Sequence, residues 1–155
     1  MLIDVHIEIP SGSSVKYEYE NNQLRVDRIL STAMVYPGNY GYIPNTLADD
    51  GDPIDVLVIE TQPLFPTCHI KCKVLGMLVT EDEKGLDQKV IAVPCESIDA
   101  NSIHMNSILD VGRSKLQLIK DFFTHYKTNE PNKWVKVFDY EDSEATNILI
   151  NMKKV

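Results

Sequence analysis

The chain has 155 residues, 43% of them hydrophobic, and its 23 acidic and 15 basic side chains give a formal net charge of −8. This length and apolar content predict a single domain, residues 1–155, with a core large enough to be stable alone. The negative charge argues against a nucleic acid or an anionic membrane as partner. The first residues lack a signal-peptide pattern, and the sequence has no run of about 18 apolar residues that could span a bilayer. The three cysteines lack the paired spacing of a disulfide framework or a zinc site. We therefore expect a cytoplasmic protein.

Strand patterns dominate the first two thirds of the chain. Apolar alternation or short apolar runs predict strands at residues 3–9, 15–19, 24–28, 56–59, 68–79 and 90–93. Asn21 and Asn22 predict a tight hairpin between the second and third of these strands. A polar hairpin loop with Lys84 and Gly85 at its tip is expected before the last one. Residues 36–44 are rich in proline, glycine and tyrosine and have no regular period, so we predict a structured loop there.

Helical patterns appear in the last third. Apolar spacing predicts an amphipathic helix over residues 113–128, then a final strand over 133–138 and a short helix that begins near Asp142 or Ser143. Strands followed by helices predict an α+β fold. The expected architecture is a small antiparallel β-barrel, like an oligonucleotide-binding barrel in topology, with flanking α-helices on its outside.

The most highly charged stretch is residues 49–55, which hold four aspartates in seven positions. Carboxylates this close repel one another, so they must stay in water or be neutralised by protons or cations. Gly51 permits a positive φ and Pro53 fixes its own φ, so the two can turn the chain and hold the acids on one concave side. Hard cations such as Mg²⁺ prefer such oxygen-only sites. A solvated acidic loop is the alternative, whereas the order of the residues excludes an EF-hand.

Charged and phenolic side chains elsewhere could complete a site around this run. The candidate carboxylates are Glu8, Glu18, Asp50, Asp52, Asp55, Asp82 and Asp87. The candidate donors are Lys16, Arg28, Tyr40, Lys89, Tyr126 and Lys127. Taken singly, each is typical of an exposed charge or a packing tyrosine. Together they suit a small, highly anionic substrate that binds with several cations.

A metal-activated water is the simplest nucleophile, because no serine or cysteine has a convincing base. Hydrolysis of a phosphoric anhydride is therefore the leading hypothesis. Two alternatives remain open from the residues alone: a non-catalytic barrel that binds divalent cations, and a nucleotide or polyphosphate hydrolase.

Short motifs along the chain follow the order of one known family. The signature Asp-Gly-Asp-Pro-x-Asp-Val occupies residues 50–56. The other motifs are Ile-Glu-Ile-Pro at 7–10, Lys-Tyr-Glu at 16–18, Val-Asp-Arg at 26–28, Tyr-Pro-x-Asn-Tyr-Gly-Tyr at 36–42, Asp82 with Asp87 and Lys89, His-Tyr-Lys at 125–127 and Lys-Trp-Val at 133–135. On these motifs the chain resembles the family I soluble inorganic pyrophosphatases of bacterial type. The match is weaker over residues 97–112 and in the C-terminal tail.

This resemblance implies hydrolysis of pyrophosphate to two phosphates, with several Mg²⁺ ions in each active site and a place in phosphate metabolism. The implied metal ligands are Asp50, Asp55 and Asp87 for the tightest ion, with Asp82 and Glu18 for ions that arrive with the substrate. Asp52 would be the general base. The implied phosphoryl ligands are Arg28, Tyr126 and Lys127 for one group and Lys16, Tyr40 and Lys89 for the other, with Glu8 and Tyr36 in support. The resemblance also implies a homo-oligomer, commonly a hexamer, with His125 at a subunit interface or in the site.

Overall fold

The computed structural model describes all 155 residues and contains eight strands, two α-helices and two short 3₁₀ segments. The strands are β1 Leu2–Ile9, β2 Val15–Glu20, β3 Gln23–Ile29, β4 Asn39–Tyr42, β5 Asp55–Val58, β6 His69–Asp82, β7 Gly85–Pro94 and β8 Val135–Asp142. The helices are α1 Arg113–His125 and α2 Ser143–Met152, and the 3₁₀ segments are Ala100–His104 and Ile108–Val111. Neither α-helix is long and apolar enough to cross a bilayer.

Five strands close into a ring, in the order β1, β4, β5, β7, β6 and back to β1. The remaining long strand, β8, pairs with the second half of β6. The predicted barrel with flanking helices is confirmed. One pair, β5 with β7, is parallel, whereas the sequence predicted antiparallel pairing throughout. The reason is geometric: strand direction cannot alternate all the way around a closed ring of five, so one pair of neighbours must run the same way.

Alternate residues of the ring strands divide between two apolar clusters. Val56 and Val58 belong to one cluster, while Leu57 belongs to the other together with Phe122 and Phe123 of α1. Successive side chains of a strand point to opposite faces of the sheet. The valine cluster therefore fills the ring, and the leucine cluster lies between the ring and α1. This packing holds the segment that follows α1 close to the ring.

The hairpin β2–β3 forms a separate two-stranded sheet beside β1. Asn21 and Asn22, between its strands, have φ values of 53° and 61°. Two consecutive positive φ values are what a type I′ turn requires, and asparagine tolerates them better than most residues. The predicted hairpin is confirmed, with each strand extending one residue further toward the turn than expected.

Within residues 36–44 the structure differs from the predicted loop, because Asn39–Tyr42 form strand β4. This strand pairs with β1 on one side and β5 on the other. A Cβ at Gly41 would overlap the carbonyl of His6, so glycine is what lets β1 and β4 approach. The same glycine removes the apolar alternation by which a strand is recognised in a sequence.

Smaller differences occur toward the C-terminus. Helix α1 ends at His125, three residues before the predicted end at 128, and β8 begins two residues later than predicted and continues to Asp142. The carboxylate of Asp142 accepts the N–H of Ala145 at 2.9 Å, which makes it the N-cap of α2. The predicted start of the terminal helix is thus confirmed.

Candidate active site

A cleft of about 480 Å³ lies between the hairpin β2–β3 and the ring. Every site residue proposed from the sequence lines it: Glu8, Lys16, Glu18, Arg28, Tyr36, Tyr40, Asp50, Asp52, Asp55, Asp82, Asp87, Lys89, Tyr126 and Lys127. They come from β1, the hairpin, β4 and the segment before it, the acidic loop with β5, the end of β6, β7 and the segment after α1. The structure gives their positions, and their individual roles stay predictions.

The acidic loop turns where the sequence indicated. Gly51 has a φ of 88°, and a carboxylate oxygen of Asp50 accepts the N–H of Asp52 at 3.0 Å. Burial raises the pKa of Asp50 above its ordinary value despite this hydrogen bond. The carboxylate of Asp49 instead pairs with Lys153 at 2.6 Å and does not line the cleft. Three of the four aspartates of the run therefore face the cleft.

Lys89 lies at the centre of the cleft's charges and is almost completely buried. Its ammonium donates to the hydroxyl of Tyr40 at 2.7 Å and to the carboxylates of Asp55 at 2.8 Å and Asp87 at 2.7 Å. The parallel register of β5 and β7 sets Asp55 directly opposite Lys89. Burial opposes the charge of Lys89, but the two carboxylates outweigh burial and raise its pKa above the ordinary value.

The polar side chains of β6 and β7 lie on strands, because only Glu83 and Lys84 remain in the turn between them. Asp87 and Lys89 are two positions apart on β7 and share one face. Across the turn, a carboxylate oxygen of Asp82 lies 3.4 Å from the ammonium of Lys127. Burial lowers the pKa of Lys127 although Asp82 opposes this shift. In the cleft, Asp87 is thus paired with Lys89 and Asp82 with Lys127.

The cationic side chains of the hairpin are tied to acids that the sequence reasoning did not single out. Asp27 lies 3.3 Å from Lys16 and 2.9 Å from Arg28, and Glu130 lies 2.6 Å from Arg28. Asp27 stands inside the Val-Asp-Arg motif and could have been noticed. Glu130 follows α1 in a polar segment with no distinguishing pattern, so only the fold reveals it. Both acids hold Arg28 in place and neutralise it.

Glu8 connects β1 to the hairpin. One of its carboxylate oxygens accepts the N–H of Tyr19 at 2.8 Å. Burial raises the pKa of Glu8 to about 7, more than this hydrogen bond lowers it, and the charges of Asp55 and Glu18 add to the increase. Glu8 is therefore an acid that can gain or lose a proton near neutral pH.

Three buried tyrosines form one wall of the cleft. Burial raises the pKa of Tyr36, Tyr40 and Tyr126 above their ordinary value, so all three are neutral phenols at pH 7. The hydroxyl of Tyr36 is buried and has no hydrogen-bond partner within the protein. A buried phenol normally finds one, so this wall offers a donor to a bound ligand.

The donor set of the cleft fits a hard divalent cation, because carboxylate oxygens are the ligands that Mg²⁺ prefers. In this conformation no three acidic, histidine or cysteine side chains are arranged to hold a metal ion. Asp55 and Asp87 are directed at Lys89, and Asp82 at Lys127. A cation that binds Asp55, Asp87 or Asp82 must therefore displace an ammonium group from that carboxylate.

A family model described as inorganic pyrophosphatase matches residues 5–154, and the chain belongs to that family. A Nanoarchaeum equitans inorganic pyrophosphatase is 50% identical over 150 residues, which are 97% of this chain and 94% of that protein. A Campylobacter jejuni inorganic pyrophosphatase is 47% identical over 92% of this chain and 84% of that protein. The resemblance stated from the motifs is confirmed, and with it the assignment to hydrolases of the bacterial pyrophosphatase type.

Solved structures of this family have the same fold. The inorganic pyrophosphatase of Helicobacter pylori superposes with a TM-score of 0.95 at 41% identity, over 98% of this chain and 91% of that one. The Thermus thermophilus enzyme gives a TM-score of 0.93 at 44% identity, over 97% of this chain and 87% of that one. Membership of the family implies a divalent metal cofactor.

Proposed function

We propose that this protein hydrolyses inorganic pyrophosphate to two phosphates with Mg²⁺ as cofactor, and that Asp52 is the general base. One observation carries the proposal: in a chain of the pyrophosphatase family, a single cleft joins the acidic loop to Lys16, Arg28, Lys89 and Lys127. Pyrophosphate is small and highly anionic, and it needs both kinds of group. Cations held by the acids match its charge, while the cationic side chains bind its terminal oxygens.

The metal would be held by Asp50, Asp55 and Asp87, with Asp82 and Glu18 for ions that accompany the substrate. When bound, Mg²⁺ supplies charge neutralisation and a more acidic water. Asp52 takes a proton from the attacking water and so makes it a better nucleophile. Its position in the acidic loop beside Asp50 supports this role.

The remaining residues orient the substrate. Arg28, Tyr126 and Lys127 bind one phosphoryl group, and Lys16, Tyr40 and Lys89 bind the other. Glu8 and Tyr36 support this arrangement. Arg28 must give up part of its contact with Asp27 and Glu130 to bind a phosphate oxygen. Since those two acids keep the guanidinium at one place, little side-chain freedom is lost when the substrate arrives.

Chelation of divalent metal is expected to abolish phosphate release from pyrophosphate, and added Mg²⁺ is expected to restore it. The reason is that no serine, threonine or cysteine lines the cleft, which leaves a metal-activated water as the simplest nucleophile. The measurement is phosphate release with and without excess chelator, with ATP as a second substrate. Undiminished activity in chelator would rule out this mechanism. Faster release from ATP than from pyrophosphate would favour a nucleotide hydrolase.

Arg28→Ala is expected to lower kcat/KM for pyrophosphate by about 10²- to 10³-fold, the usual effect of losing one transition-state donor. Arg25→Ala is the matched control, because Arg25 lies on the same strand, is exposed, does not line the cleft, and has Gln23 as its side-chain hydrogen-bond partner. Lys71→Ala, on the exposed face of β6, is a second control. Steady-state kinetics of the three variants test the assignment. Small and equal losses would mean that Arg28 is an ordinary surface charge.

We also propose that the protein works in the cytoplasm as a homohexamer. All three cysteines are free, which suits a reducing compartment. Phe65 and Leu109 are 86% and 85% exposed, and apolar side chains this exposed are candidates for subunit contacts. Light scattering on the purified protein gives the mass that decides the oligomeric state.

A further inference from the structure

Two imidazoles and a carboxylate form a hydrogen-bonded chain that starts at the surface and ends under the hairpin. The Nδ1 of His69 lies 2.7 Å from a carboxylate oxygen of Asp4, and its Nε2 lies 3.1 Å from the Nδ1 of His6. Asp4 and His69 are exposed, whereas His6 is only 5% exposed. None of the three belongs to the motifs that define the site.

The hydrogen-bond chain sets the tautomers of the two imidazoles when both are neutral. An ionised carboxylate can only accept, so a neutral His69 donates from Nδ1 to Asp4 and its Nε2 accepts from the Nδ1 of His6. The Nε2 of His6 is then a bare acceptor, and it is buried with no hydrogen-bond partner. Burial and the neighbouring His69 lower the pKa of His6, so its ring is neutral at pH 7. The titratable groups around it are Asp4 and Glu8 on its own strand, His69 on β6, Tyr19 on β2 and Tyr42 on β4.

The ring of His6 lies between two tyrosines from different sheets. Its centroid is 4.8 Å from that of Tyr42 on β4, with the planes nearly parallel at 13°. It is 4.7 Å from that of Tyr19 on β2, tilted by 36°. Tyr42 belongs to the ring of strands and Tyr19 to the hairpin. His6 is therefore a direct side-chain link between the two sheets.

Tyr19 is also where the hairpin meets Glu8. Its backbone N–H donates to Glu8, and its side chain rests on His6, so both contacts anchor the same residue to β1. Glu18 precedes Tyr19 directly, and Lys16 lies three residues before it on the same strand. A small movement of Tyr19 would thus move a proposed metal ligand and a proposed phosphate ligand together.

We propose that His6 is a positioning residue for catalysis. Its imidazole, oriented by His69 and Asp4, packs against Tyr19 and thereby holds the hairpin over the acidic loop. This inference rests on the proposed function for its effect on rate, but the placement of the hairpin can be tested without activity. The acids proposed for the tightest metal and the general base lie on the acidic loop, β5 and β7, so none of them is carried by the hairpin.

His6→Ala is expected to lower kcat/KM for pyrophosphate by about 10- to 100-fold, mainly through a higher KM, because displaced binding groups lose alignment. Calorimetric affinity for Mg²⁺ without substrate should stay as in the wild type. His6→Phe keeps a ring between the tyrosines and should recover most of the loss. His104→Ala, which removes an exposed histidine, is the control. Tyr19→Leu removes the hairpin side of the contact and should repeat the rise in KM even if His6→Ala folds poorly.

Hydrogen exchange supplies the readout that does not need activity. In His6→Ala, amides of residues 15–29 should exchange about tenfold faster, while those of 85–94 on β7 stay unchanged. Unchanged exchange in the hairpin, or a loss of resting Mg²⁺ affinity as large as the loss of kcat/KM, would overturn the inference. An inactive wild-type protein would overturn the proposed function instead, and exchange would still decide the role of His6.

Discussion

Replacing Asp52 by asparagine is expected to reduce saturated turnover of pyrophosphate by about 10²- to 10⁴-fold, the range lost when a general base is removed. Asparagine keeps the shape of the side chain and removes its basicity. Asp52 is exposed in the acidic loop. Its backbone N–H donates to the carboxylate of Asp50, and the substitution leaves this hydrogen bond intact. Binding of Mg²⁺ to the resting enzyme should therefore be nearly unchanged.

Asp55→Asn should behave differently although it lies only three residues away. Its carboxylate contacts Lys89 on the neighbouring strand and is a proposed ligand of the tightest ion, so its loss should weaken resting Mg²⁺ binding and lower the rate with it. Calorimetric Mg²⁺ titration beside turnover at saturating Mg²⁺ separates the two variants. Asp49→Asn is the control, since that acid pairs with Lys153 outside the cleft. If Asp52→Asn loses Mg²⁺ as severely as Asp55→Asn yet turns over normally at high Mg²⁺, Asp52 is a ligand and not the base.

Lys89→Met is expected to lower the free energy of unfolding in chelator by about 3–5 kcal/mol, because removing one partner of a buried ion pair leaves an uncompensated charge. Here two carboxylates, of Asp55 and Asp87, lose the same ammonium. Turnover should also fall, by about 10²- to 10³-fold, because a phosphate donor is lost.

Mg²⁺ should stabilise Lys89→Met more than it stabilises the wild type. In the variant, no ammonium competes with the cation for the carboxylates of Asp55 and Asp87. A ligand that binds only the folded state raises the free energy of unfolding. Denaturant unfolding in chelator and in Mg²⁺ measures both effects. Lys71→Met, an exposed lysine on β6, should change neither. A loss of the same size in chelator and in Mg²⁺ would show that the cation does not bind these carboxylates.

The strands with regular alternation could be read from the sequence, and so could the acidic turn at Gly51. Strand β4 could not, because Gly41 is there for a close approach of two backbones and carries no apolar side chain. The parallel pairing of β5 and β7 could not either. Direction in a sheet depends on how many strands close the ring, which no local pattern records.

The candidate site was predictable as a set of residues but not as an arrangement. Motif order named the lysines and acids, yet only the register of β5 with β7 shows that Lys89 neutralises Asp55. Glu130 was missed because its contact with Arg28 joins segments 102 residues apart. The link from His6 to Tyr19 was missed because His6 alternates with Val5 and Ile7 in the sequence, which assigns it to the polar face of its strand.

The closure of the ring by β1 against β6 also determines how the molecule folds. His6 finds its partner His69 only 63 residues later in the chain, and loops of that length must close before the contact contributes any stability. Asp55 and Lys89, 34 residues apart, become neighbours only when β7 joins the same ring. The contact between Asp55 and Lys89 at the centre of the cleft therefore forms only when β5 and β7 pair. A ligand that bridges these two strands opposes unfolding of the whole domain.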